Sequence, residues 1–153
     1  MKRIKKWRYY CEFCKKSGNS AGHMARHEAR CTMNPHRECR VCGMIRDDGV
    51  YENTGKVEPG HPDMAALVAL LPNMDEFRET VDEPLFLNDG LVDAANKALP
   101  ALRDATDNCP ACIMAAIRQA KIPVPMVTGF NFSEEMKSIW ADVNQKNYSE
   151  SYY

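Results

Sequence analysis

The 153-residue chain reads as a mainly α, small α+β protein with β-hairpin knuckles built around bound metal. Three observations carry that reading. Six of the seven cysteines fall in three Cys-x-x-Cys pairs, Cys11/Cys14, Cys39/Cys42 and Cys109/Cys112. Apolar residues recur at helical spacing from Pro62 onward. Charge is segregated: residues 1–46 hold 12 Lys/Arg against 3 Asp/Glu, a net +9, and residues 47–153 hold 8 against 18, a net −10. Two regions follow, a basic metal-binding region at 1–46 and an acidic helical region at 47–153 that returns Cys109 and Cys112 to the second metal site. No apolar run approaches the ~20 residues of a membrane span. The basic start Met1–Trp7 has no apolar stretch behind it, so no secretory leader is expected. The expected setting is cytoplasmic and reducing, where such cysteine pairs bind metal rather than form disulfides.

Seven cysteines are one short of two four-ligand sites, so a histidine is needed. His27 fits by spacing. Two residues separate Cys11 from Cys14, twelve separate Cys14 from His27, and three separate His27 from Cys31. A knuckle presents the first pair, and His27 and Cys31, four apart, share one helix face. Zinc is the default ion for tetrahedral sulfur and nitrogen ligands. Residues 9–31 resemble a single classical zinc finger whose last histidine is a cysteine. Tyr9 matches the family's aromatic, and Met24 stands where its helix leucine stands. Gly18 departs from the pattern, since the family has a core phenylalanine there. The resemblance implies a hairpin followed by a helix, and one structural zinc held by Cys11, Cys14, His27 and Cys31.

Cys39, Cys42, Cys109 and Cys112 make a second site and bring the cofactors to two structural zinc ions. Cys39-Arg-Val-Cys42-Gly43 reads as a knuckle, with Gly43 allowing a left-handed turn. Cys109-Pro-Ala-Cys112 opens a helix, with Pro110 at its first position. The arrangement resembles a treble clef or zinc ribbon with a 66-residue insertion. A cross-braced pairing, with Cys11/Cys14 joining Cys39/Cys42, stays open. So do His36 or His23 as substitute ligands. His61 reads as part of a turn.

Residues 43–61 are Gly-rich and polar, with a hairpin or open loop around Asp48-Gly49. Pro62–Leu71 places Met64, Leu67, Val68 and Leu71 on one helix face. Asn73-x-x-Glu76 resembles a capping box for a short helix to about Val81. Asp89–Arg103 follows, with Leu91, Val92, Ala95, Leu99 and Leu102 on one face and Pro100 expected to kink or end it. A fourth helix starts at Cys109. Ile122–Gly129 reads as an extended apolar connector. Ser133 is the expected N-cap of a last helix, with Met136, Ile139, Trp140 and Val143 facing in.

Both metal sites are closed, so the chain is expected to be a binding protein rather than an enzyme. No glycine-rich phosphate loop is present, and no His-Glu-x-x-His. A zinc deaminase would want His-x-Glu upstream of Pro-Cys-x-x-Cys; His61-Pro62-Asp63 offers only an Asp. Cys109-Pro-Ala-Cys112 also looks like a redox pair, though no βαβ pattern precedes it. Two binding readings remain. In one, the finger contacts nucleic acid. Ser20, Gly22, His23 and Arg26 occupy its base-facing positions. Lys5, Lys6, Arg8, Lys15, Lys16 and Arg30 would meet phosphates, joined by Lys2 and Arg3. In the other, the zinc-built surface docks a protein partner as an adaptor or inhibitor. The whole chain also resembles small zinc-finger proteins of bacterial viruses, through the finger followed by Asn34-Pro35 and Cys-x-x-Cys. That likeness implies a regulator or a host-directed inhibitor inside the host cell. Composition sets no oligomeric state.

Overall fold

The computed structural model describes residues 7–46, 62–75 and 89–150. It is mostly helical, with one small hairpin among the described residues. Tyr9–Tyr10 (β1) pairs antiparallel with Ser17–Gly18 (β2), Tyr9 opposite Gly18. Helix α1 spans Ala21–Arg30. Ser20 is its N-cap: its backbone is extended and its Oγ accepts the His23 N–H, satisfying one of the free first-turn donors. Met24 turns inward, and with Cys11 and Cys31 forms a buried cluster flanked by Phe13, Cys14 and Met33. Tyr9 does not complete this core and is 41% exposed. Its cross-strand neighbour is Gly18, which has no side chain for the ring to pack on.

The link after the finger is tightly bonded. Asn34 is buried, its side-chain amide donates to the Glu28 carbonyl, and its Oδ1 accepts the His36 N–H. The Glu28 carbonyl, which also accepts the Cys31 N–H, thereby gains a second donor at the end of α1. Gln119 donates to the carbonyls of Thr32 and Asn34, and Arg118 donates to the Thr32 hydroxyl. The finger is therefore bonded to the helical body through this link.

The body comprises α2 (Arg40–Arg46), α3 (Met64–Ala69), α4 (Asp89–Ala105), α5 (Pro110–Gln119) and α6 (Phe132–Glu150). Helix α5 is central. Cys112 through Ile117 are all buried, and α2, α3 and α6 pack around it. A helix apolar on every side belongs inside a core. The expected inward residues Met64, Leu67, Leu71, Leu91, Ala95, Leu99 and Leu102 are buried there, with Val92 packed against them.

Five local expectations are corrected. Cys39–Gly43 is not a knuckle: α2 begins at Arg40 and carries Cys42 and Gly43 within it. Pro100 does not end α4, which runs on to Ala105. Pro100 is exposed, and burial of Leu91, Ala95, Leu99 and Leu102 on either side outweighs the missing N–H bond. The connector after Ile122 coils into a 3-10 turn at Val124–Met126 rather than staying extended. Helix α6 is capped by Asn131, whose Oδ1 accepts the Glu134 N–H, not by Ser133. On α6, Met136, Ile139 and Val143 are half-buried, but Trp140 is 50% exposed.

The α4–α5 turn uses consecutive left-handed residues, Asp107 (φ 52) and Asn108 (φ 57). Asp and Asn tolerate that region better than most side chains. The Asn108 N–H returns to the Arg103 carbonyl at 2.9 Å, closing α4 and delivering Cys109 to the start of α5. The proposed Asp48-Gly49 hairpin and most of the helix to Val81 lie outside the described residues. Among the described residues no helix is long and apolar enough to cross a membrane.

Candidate metal centres

Two groups of four ligand atoms converge, each with all its atoms within 4.8 Å of one another: Cys11, Cys14, His27 and Cys31, and separately Cys39, Cys42, Cys109 and Cys112. The pairing is sequential rather than cross-braced. His23 and His36 belong to neither group. His61 lies outside the described residues. Asp63 caps α3, its carboxylate accepting the Ala65 N–H.

In the finger, the hairpin brings Cys11 and Cys14 to one end, and the Cys11 N–H donates to the Lys16 carbonyl. His27 and Cys31 descend from the last turn of α1. Cys14 Sγ stands 3.3 Å from His27 Nε2. Bond lengths of about 2.3 Å to sulfur and 2.0–2.1 Å to nitrogen put tetrahedral S···N edges near 3.6 Å, so the group fits one ion. Glu28, next to His27, accepts the Glu12 N–H at 2.9 Å and holds the helix to the loop. The Lys16 backbone amide, then His27, lower the Cys14 thiol to about 7. Burial raises Cys31 to about 11.

The second group is built by two helix starts that face each other. Cys39 and Cys109 immediately precede α2 and α5, and Cys42 and Cys112 lie in their first turns. The Cys39–Cys109 and Cys42–Cys112 Sγ separations are 3.6 and 3.3 Å. A tetrahedron of four sulfurs at about 2.3 Å from an ion has edges near 3.8 Å. Cys42, Cys109 and Cys112 are buried. Cys109 is lowered because Cys112 donates to it, whereas Cys42 and Cys112 are raised by sharing their protons with neighbouring sulfurs. Four thiolates this close repel one another unless a cation sits among them. Four cysteines or three cysteines and one histidine suit a soft tetrahedral ion.

Arg37, to which the sequence reading gave no role, is buried beside the second group. Its Nη1 is 3.3 Å from the Ala111 carbonyl and 3.6 Å from Cys112 Sγ. Nothing in its local sequence distinguishes it from the other arginines. The candidate nucleic-acid residues form no enclosed site. Arg8, Lys15, Lys16, His23 and Arg26 are exposed; Arg30 is half-buried. Lys5 and Lys6 lie outside the described residues. Comparison with protein-family models, curated proteins and solved structures finds no match. The resemblance to viral zinc-finger proteins therefore gains no support there.

Proposed function

We propose that the chain is a non-enzymatic binding module held together by two structural zinc ions, with the finger and its basic flank contacting nucleic acid. The observation that carries this reading is the outer face of α1. Ser20, Gly22, His23 and Arg26 are exposed there, while Met24 turns into the buried cluster and His27 and Cys31 into the ligand group. Arg8, Lys15 and Lys16 add exposed positive charge, and Trp7 and Tyr10 are exposed aromatics beside it. Aromatics among cations suit base stacking as well as phosphate contact. One finger reads only ~3 base pairs, so binding is expected to be weakly specific and steeply salt-dependent. The exposed Trp140 on α6 favours the second reading, a protein partner docked on the helical body. The Cys109–Cys112 pair converges with two more sulfurs instead of standing alone, which argues against a thiol redox role.

The test is binding of the zinc-loaded chain to duplex and single-stranded oligonucleotides at two salt concentrations. Wild type is compared with a Lys5/Lys6/Arg8 triple-alanine variant and with Arg26→Ala. Salt-sensitive binding that weakens in both variants supports the reading. Absence of salt-sensitive binding moves the weight to a protein partner.

A further inference from the structure

Arg37 is a buried charge that ligand spacing alone leaves unexplained. It stands two residues before Cys39 and is only 6% exposed. A guanidinium stays protonated in proteins, and a buried charge needs a counter-charge. Among the described residues no carboxylate pairs with Arg37. Its contacts are the Ala111 carbonyl and Cys112 Sγ, and its Nε has no hydrogen-bond partner. Against four neutral thiols it would be an uncompensated cation, because a thiol is a weak acceptor. Against a metal-bound thiolate it faces an anion.

We infer that Arg37 is a positioning residue of the four-cysteine centre, its buried guanidinium set against the Ala111 carbonyl and Cys112 Sγ where it offsets the negative charge that four cysteine ligands would carry around a divalent ion. This rests on the two-metal reading and adds to it. Four thiolates and a divalent ion carry a net charge of about −2, which Arg37 brings to about −1. Three thiolates and a neutral imidazole reach about −1 unaided. The two centres thus end with the same residual charge by different means. The bond to Ala111 O ties the guanidinium to the first turn of α5, beside Cys112.

The experiment follows zinc release from the full-length chain to excess chelator, with alkylation and mass spectrometry identifying which cysteines are freed. Arg37→Lys keeps the charge, Arg37→Gln keeps donors without charge, and Arg37→Met keeps only the stem. Gln and Met are expected to weaken zinc retention at Cys39, Cys42, Cys109 and Cys112 by about tenfold or more, as for other outer-shell partners. Lys is expected to stay within a few-fold of wild type, and the finger cysteines to be unaffected. No change, equal loss at both centres, or Lys as damaging as Met would overturn the inference. If Met fails to fold, the sulfur-to-cobalt charge-transfer band of the cobalt-loaded Gln and Lys variants decides. A shift in Gln but not in Lys supports a charge beside the sulfurs, and no shift in Gln overturns it. A wild-type chain with no metal at these cysteines would overturn the two-metal reading itself, whereas a loaded centre indifferent to Arg37 overturns only this inference.

Discussion

Replacing Cys14 with serine removes one ligand from the finger and leaves the four-cysteine centre intact. The consequence follows from what else holds the finger. Among the described residues its buried cluster is Cys11, Met24 and Cys31. Burying a side chain such as Met24 contributes about 1.5–3 kcal/mol. A structural zinc in a finger contributes about 10–16 kcal/mol near neutral pH. The metal term is several times the packing term, and Gly18 supplies nothing where an aromatic would. An isolated helix as short as the 10-residue α1 is marginal in water. Cys14→Ser is therefore expected to unfold the hairpin and α1 while the body persists, because the body has its own core around α5. Circular dichroism should lose about a seventh of the described helical signal, the share of α1. Hydrogen exchange should show lost protection at 21–30 and retained protection at 110–119. A variant that keeps α1 protected without metal at Cys11, His27 and Cys31 would refute the reasoning. So would one in which the whole chain unfolds together.

Other predictions follow from single contacts. Asn34→Ala removes the buried amide that closes α1 and is expected to cost about 1–2 kcal/mol, measured by denaturant unfolding of the zinc-loaded protein. Lys121 holds φ 60 just after α5, with the Ile122 N–H returned to the Ile117 carbonyl. Lys121→Gly is expected to stabilise by about 0.5–1 kcal/mol, and a loss of stability would contradict that. Zinc uptake must displace thiol protons. At pH 7.5, above the Cys14 value of about 7, that sulfur is already largely thiolate, so the finger should release about two protons rather than three, while the raised Cys42 and Cys112 should each release one at the four-cysteine centre. Calorimetry in two buffers on Cys112→Ser and Cys14→Ser chains separates them.

The ligand sets were legible because metal geometry is written in short spacings. Cys-x-x-Cys and the 12- and 3-residue gaps around His27 are local facts. So were Pro110 at a helix start, and the stripes of Leu91, Ala95, Leu99 and Leu102. Misreadings arose where distant packing overrode a local signal. Gly43 reads as a turn residue, yet Cys42 is buried against Cys112 and the segment is drawn into a helix on α5. Tyr9 fits a motif position, but its usefulness there depends on the residue opposite, which is Gly18. Arg37 was silent because its meaning comes from Ala111 and Cys112, more than 70 residues away. The link that bonds the finger to α5 through Asn34, Arg118 and Gln119 was silent for the same reason.

The central claim is that both ligand groups hold a structural zinc ion. The most direct measurement is metal content of the purified chain by mass spectrometry under native conditions, without added zinc. The account predicts two zinc ions per chain, one at Cys11, Cys14, His27 and Cys31 and one at Cys39, Cys42, Cys109 and Cys112. A content below about 1.5 per chain, in protein that keeps its helical spectrum, would contradict it.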